Sequence, residues 1–290
     1  MQRGPFRSLP SPLVSAGWLR DHARDPDVRA LDARWYRGGK SAADEYARGH
    51  VPGAAFVDLD RDLSSPKGQG PGRHPLPSAR AFAAVLARLG VSATTRVIAY
   101  DDAGGSIAAR VWWLFRHFGL PQAAVLDGGL GAWTADGGDL SRDVPAFVPA
   151  APMRLVPRAD DVVDKRAVDR LRAAADAVVL DARAAERFEG RSEPIDARPG
   201  HIPGARSLPW AGNLVSAGGA FRAPAALAAR FEEAGASATR AIVCYCGSGV
   251  TACHDLLALA LTGREDALLY EGSWSDWAAD DTLPAALGSD

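Results

Sequence analysis

Ala241-Ile242-Val243-Cys244-Tyr245-Cys246-Gly247-Ser248-Gly249-Val250-Thr251 starts as a β-branched, apolar run and passes through a Gly-rich turn into an apolar stretch, Thr251 to Thr262. This reads as a buried strand, a tight turn and a helix. Cys246 ends the strand, where backbone N–H groups of the turn and the helix N-terminus converge, a setting that favours a thiolate. A free thiol titrates near pH ~8.5, and the turn is expected to lower that value. Gly247 and Gly249 let the backbone curl round the sulfur without Cβ clashes. An inert buried cysteine is the ordinary alternative, but it needs no amide-lined turn.

The same strand-turn-helix occurs earlier, without the cysteine. Leu31-Asp32-Ala33-Arg34 recurs as Leu180-Asp181-Ala182-Arg183, and Gly49-His50-Val51-Pro52-Gly53-Ala54 as Gly200-His201-Ile202-Pro203-Gly204-Ala205. Arg96 to Tyr100 aligns with the run ending at Tyr245, and Leu126-Asp127-Gly128-Gly129 with Trp133 matches Tyr270-Glu271-Gly272-Ser273 with Trp277. Ordered matches at similar offsets mark two copies of one domain. Strands are expected at Val28–Ala33, Val97–Tyr100, Ala123–Leu126, Ala177–Ala182, Ala241–Tyr245 and Ala267–Tyr270. Helices are expected at Ala79–Leu89, Ile107–Phe118, Ala225–Ala234 and Thr251–Thr262. Such alternation predicts an α/β fold, each copy a mostly parallel sheet flanked by helices, with ligands at the carboxyl ends of the strands. The expected bounds are 8–138 for the first domain, 139–160 for a proline-rich linker and 161–290 for the second domain.

The 290 residues suffice for two domains, and 47% hydrophobic with 23% charged residues is a globular composition. A net charge of -2 gives no electrostatic case for nucleic acid or an anionic membrane. No apolar run approaches the ~20 residues of a membrane span. Arg3 and Arg7 precede no continuous apolar core, so no secretory signal is expected. Cys244, Cys246 and Cys253, an odd and clustered set, do not form a disulfide framework, and a reducing cytoplasm is expected. Their spacing is not that of a zinc site, so no metal is expected.

Together the Asp-Ala-Arg turn, the Gly-His-Ile-Pro-Gly-Ala segment and the loop Cys246-Gly-Ser-Gly-Val-Thr251 resemble the tandem-domain rhodanese sulfurtransferases, over nearly the whole chain. The loop resembles that of the branch using 3-mercaptopyruvate. The thiosulfate branch carries Cys-Arg-Lys-Gly-Val-Thr. The resemblance implies two tandem rhodanese-like domains, a persulfide on Cys246, a thiol, thioredoxin or cyanide as acceptor, and no cofactor. It also implies a catalytically empty first domain that contributes to the cleft, with Asp101 opposite Cys246 in the alignment. It makes Gly247, Gly249, Val250 and Thr251 substrate-binding loop residues and Arg187 the substrate-carboxylate arginine. A second arginine is expected shortly after. The segment Glu193 to His201 is shorter than the family's pattern, and of Asp196 and Arg198 the choice falls on Arg198. A relay of Ser248, His74 and Asp60 is implied for moving a proton as pyruvate's enolate leaves.

Bland alternatives stand beside these. Ser248 has the role of a turn hydrogen bond, Arg187 that of a solvated arginine, His74 that of a loop histidine. Cys244 is read as core packing, and Cys253 as packing ahead of a resolving thiol. His50 and His201 occur in both copies and are read as structural. The uncharged Gly247-Ser248 pair argues for mercaptopyruvate over the dianion thiosulfate. Ala252 stands where the arginine clamp of a Cys-dependent phosphatase would be, which argues strongly against that activity. A non-catalytic sulfur-carrier or partner-binding module is the alternative from another class.

Overall fold

The computed structural model describes residues 8–236 and 240–289; Arg3 and Arg7 lie outside them. The chain divides into two units. The first comprises Met1–Leu63, Ser78–Pro157 and Gly218–Ala220, and the second Ser64–Pro77, Arg158–Ala217 and Phe221–Asp290.

The first unit holds strands β1 (Leu13–Val14), β2 (Val28–Asp32), β3 (Ala55–Phe56), β4 (Arg96–Tyr100) and β5 (Ala123–Leu126). The second holds β6 (Val162–Val163), β7 (Ala177–Asp181), β8 (Arg206–Ser207), β9 (Ala241–Tyr245) and β10 (Leu268–Tyr270). The sheet orders are β1-β5-β4-β2-β3 and β6-β10-β9-β7-β8, the same topology twice. All pairings are parallel. The long strands fall within a residue of their expected ends. The two-residue strands β1, β3, β6 and β8 carry no readable period, so the sequence did not announce them.

In the first unit, helices α1 (Ala16–His22), α2 (Ala42–Arg48), α3 (Ala79–Arg88), α4 (Ala108–His117) and α5 (Gly129–Ala135) cover the sheet. Their counterparts in the second are α6 (Lys165–Leu171), α7 (Ala185–Phe188), α8 (Pro224–Glu233), α9 (Ala252–Leu261) and α10 (Ser273–Trp277). Ser15, Ser41, Ser78 and Asp164 cap α1, α2, α3 and α6, each side chain accepting from an N–H three residues on. The central strands β4 and β9 are apolar on both faces, as a sheet covered on both sides requires.

Two departures from the expected bounds have clear causes. Ser64–Pro77 falls within the first domain by sequence but belongs to the second unit: Arg73 N–H donates to Ser275 Oγ at 3.1 Å and Leu76 N–H to Glu271 Oε2 at 3.0 Å. The proline-rich stretch from Asp139 is no free linker. Ser141 bridges to His50, the Arg29 guanidinium lies 3.9 Å over the Phe147 ring, and Ala150 N–H donates to Ala87 O at 2.9 Å.

The repeated motifs have one structural job each. Asp32 and Arg34 form a buried ion pair at the end of β2, as do Asp181 and Arg183 at the end of β7. Each arginine also donates to the carbonyl before the His-x-Pro-Gly turn, Arg34 to Gly49 at 2.8 Å and Arg183 to Gly200 at 2.7 Å. His50 and His201 are fully buried and bond to carbonyls, His50 to Tyr46 and Asp143 and His201 to Phe188.

Asp101 follows β4 and is wholly buried. Its Oδ1 accepts from the N–H groups of Ala103 (2.9 Å) and Gly105 (2.8 Å), and its Oδ2 from those of Ile107 (2.8 Å) and Ala108 (2.9 Å). Burial pushes its carboxyl up and these four amides pull it back down. The turn of the first copy is thus a filled anion cradle. Asp101→Ala leaves four buried donors without an acceptor, and we expect it to destabilise the protein by about 3 kcal/mol in urea unfolding. Asp101→Asn, which keeps one carbonyl acceptor, should cost clearly less.

Candidate active site

β9 lies between β7 and β10 in its sheet and delivers Cys246 to their carboxyl end. Tyr245 pairs with Asp181, as Tyr100 pairs with Asp32, so Cys246 and Asp101 stand at equivalent points of the two copies. The loop of the second copy spans 246–251 and that of the first 101–107, one residue longer. Cys246 is 2% exposed.

Backbone contacts fix this loop. Trp274 N–H donates to Cys246 O at 2.9 Å and Ser275 N–H to Gly247 O at 3.0 Å. Cys246 N–H donates to Ser273 Oγ at 3.0 Å, whose hydroxyl donates to Tyr270 O at 2.9 Å. Gly249 has φ +75°, and a Cβ there would fall 2.4 Å from Glu271 O, so no other residue fits. Val250 is buried, and Thr251 opens α9 without a side-chain cap. Cys253 donates its thiol to Gly249 O at 3.3 Å, bracing the turn. Cys244 is fully buried, and burial pushes its thiol well up.

The structure brings several of the expected residues together. His74 Nδ1 lies 2.7 Å from Ser248 Oγ. Arg187, in α7, packs on the loop beside Gly247, where a Cβ would lie 3.3 Å from its Nη1. Asp60 belongs to the first unit, where its Oδ2 accepts from Trp35 Nε1 at 3.0 Å.

Arg198 is not a site residue. Its guanidinium donates to the carbonyls of Ala278 (2.9 Å), Leu283 (3.0 Å), Trp277 (3.0 Å) and Asp280 (2.9 Å), which uses it to tie down the segment after α10. The guanidinium at the loop that the sequence did not reveal is Arg73. A Cβ on Gly247 would lie 2.9 Å from its Nη2. Its only sequence signal was adjacency to His74.

These cations are balanced. Arg187 Nη2 donates to Glu193 Oε1 at 2.8 Å and to Asp196 Oδ2 at 2.9 Å. Arg73 Nη1 pairs with the other oxygen of Asp196. Burial pushes the Asp196 carboxyl up, with Glu193 adding to that and Arg73 and Arg187 opposing it. The neutral Gly247-Ser248 pair is therefore flanked by charge, two guanidiniums matched by two carboxylates.

Behind the loop, α9 carries a second polar cluster. Asn213 Nδ2 donates to Asp255 Oδ1 at 2.6 Å, while buried Asp255 Oδ2 and Asn213 Oδ1 find no partner. Burial pushes the Asp255 carboxyl up to about 7. The unfolded chain loses this proton near pH ~4, so the native state binds more protons between there and about 7. The stabilisation is full below pH ~4 and is lost as pH rises through the native value. Between pH 5 and 8 the wild type should lose about 2 kcal/mol more stability than Asp255→Asn, read by urea unfolding at each pH.

Residues 15–136 and again 164–280 match the Rhodanese-like domain. A probable 3-mercaptopyruvate sulfurtransferase of Pseudomonas aeruginosa is 40% identical over 280 residues, covering 95% of this chain and 98% of its own length. A putative thiosulfate sulfurtransferase, SseB of Mycobacterium tuberculosis, is 39% identical over 289 residues, with 96% and 97% covered. The crystal structure of SseA from Escherichia coli, a 3-mercaptopyruvate sulfotransferase, superposes with a TM-score of 0.80 at 35% identity, covering 91% of this chain and 99% of that one. The chain belongs to the rhodanese family, in its tandem-domain sulfurtransferase form.

Proposed function

We propose that the protein moves sulfane sulfur from 3-mercaptopyruvate through a persulfide on Cys246 to a thiol acceptor, releasing pyruvate. The observation that carries this reading is the 2.7 Å contact between Ser248 Oγ and His74 Nδ1, on a loop that begins with the cysteine. The Cys246 thiolate attacks the donor sulfur and the carbon–sulfur bond breaks. The electron pair of that bond passes to the carbon, and the resulting enolate of pyruvate takes a proton. Ser248 donates it, and His74 restores the hydroxyl proton. Arg187 binds the donor carboxylate. In the second step an acceptor thiolate attacks the outer sulfur, the S–S bond breaks, and Cys246 returns as thiolate. Thioredoxin supplies a suitable thiol, and cyanide would leave as thiocyanate.

No helix among the described residues is long and apolar enough to cross a membrane. Three free cysteines suit a reducing compartment, and we place the reaction in the cytoplasm.

Thiosulfate is the second reading, favoured by two guanidiniums beside Gly247. The pairing of both with Glu193 and Asp196 opposes it, because a dianion meets no net positive charge there. With cyanide as acceptor, kcat/KM for mercaptopyruvate should exceed that for thiosulfate by about tenfold or more, and the reverse order would overturn the donor. Mass spectrometry after donor exposure should find one added sulfur atom on the wild type and none on Cys246→Ser.

A further inference from the structure

The turn between β10 and α10 meets the catalytic loop on one side and the segment carrying His74 on the other. On the loop side, Trp274 N–H donates to Cys246 O at 2.9 Å and Ser275 N–H to Gly247 O at 3.0 Å. The carbonyl of Glu271 lies against Gly249, where a Cβ would fall 2.4 Å from it. On the His74 side the turn uses side chains. Ser275 Oγ accepts from Arg73 N–H at 3.1 Å, and Glu271 Oε2 accepts from Leu76 N–H at 3.0 Å.

These two bonds bracket the histidine, one residue before it and two after. Pro75, between His74 and Leu76, has no N–H to add. At the Arg73 end the backbone is pressed on the turn as well: Gly72 has φ +71°, and a Cβ there would fall 2.4 Å from Gly272 O. Ser65 closes the segment on itself, its N–H donating to Pro75 O at 2.9 Å and its hydroxyl to Leu76 O at 2.8 Å. That closure shapes the segment without tying it to the turn. At the Leu76 end the tie is the Glu271 carboxylate, and an ionised acceptor makes a stronger bond to an amide than a neutral one. Glu271 thus faces both partners of the 2.7 Å contact between His74 Nδ1 and Ser248 Oγ. Its carbonyl packs on the loop of the serine, and its side chain holds the strand of the histidine.

We infer that Glu271 is a positioning residue: through the Leu76 amide it holds the His74 imidazole within hydrogen-bond distance of Ser248. It acts through His74 and moves no proton itself. Its effect on turnover rests on the reading that Ser248 and His74 deliver the enolate proton.

The test follows the His74 ring nitrogens by nitrogen NMR in histidine-labelled protein. Ser248→Ala marks the Nδ1 signal without its serine partner. We expect Glu271→Ala to move the Nδ1 signal toward that of Ser248→Ala and to lower kcat for mercaptopyruvate by about tenfold or more. Glu271→Gln keeps an oxygen acceptor and should retain the wild-type signal, with kcat within about threefold. Alkylation of Cys246 by iodoacetamide should stay within about threefold in both, because the loop-side contact of Glu271 uses its carbonyl and not its carboxylate. An unchanged His74 signal in Glu271→Ala overturns the inference. So does an equal loss in Glu271→Gln, which would make the charge and not the hydrogen bond the agent. A fall in Cys246 alkylation alongside the signal also overturns it, since the whole turn has then given way. If Glu271→Ala does not fold, Glu271→Met, of nearly the native side-chain length, carries the test by the same criteria. A signal displaced in Glu271→Ala and kept in Glu271→Gln, with kcat unchanged throughout, upholds the positioning and refutes the proton relay.

Discussion

Arg183 is buried and joins three parts of the second unit at once. It takes both oxygens of Asp181 at the end of β7, the carbonyl of Gly200 at 2.7 Å, and Glu193 at 3.3 Å. Glu193 in turn grips Arg187. The chain of contacts runs from the sheet to the guanidinium at the loop without leaving buried or half-buried groups. Breaking a buried pair by removing one member costs about 3–5 kcal/mol, because the other charge stays behind. The position of Arg187 therefore rests on an ion pair that is itself wholly buried.

The first copy has the same pair, Asp32 with Arg34, and it reaches Gly49 in the same way. Among the described residues, Arg34 makes no further ion pair like that of Arg183 with Glu193. The duplicated scaffold is thus separable from the chemistry. Sheet order, the Asp-Ala-Arg turn and the His-x-Pro-Gly turn serve folding in both copies. The cysteine, the serine and the arginine pair stand at the loop of one copy.

That division explains what could be read from the sequence. The long strands and helices were legible because their apolar periodicity is strong, and the duplication was legible because the folding motifs are short and contiguous. Cys246, Ser248 and Arg187 were legible through the loop and its family resemblance. Arg73 was not, since no spacing links it to Gly247 across the chain and only the packing of Ser64–Pro77 brings it there. Arg198 misled because an arginine at the expected place looks alike whether its guanidinium meets a substrate or four carbonyls. The guanidiniums beside the uncharged Gly247-Ser248 pair come from other segments, so the loop by itself did not show them.

Ser273 has φ +53°, the only non-glycine among the described residues in the left-handed region. Gly129 holds the same place in the first copy with φ +56°, and a Cβ there would fall 2.2 Å from Asp101 O. The catalytic copy tolerates the strained serine, whose hydroxyl holds the Cys246 amide. In the first copy the backbone lies close against the carbonyl of Asp101 and the loop is one residue longer. A cysteine at 101 alone would inherit a turn of the wrong length and no hydroxyl at 129. Restoring a second reactive centre requires changes at three places, and the serine clashes unless the turn has already opened. The backbone of the first copy's turn is therefore shaped for a carboxylate and not for a thiolate, and a single substitution at 101 does not turn it into a second reactive centre.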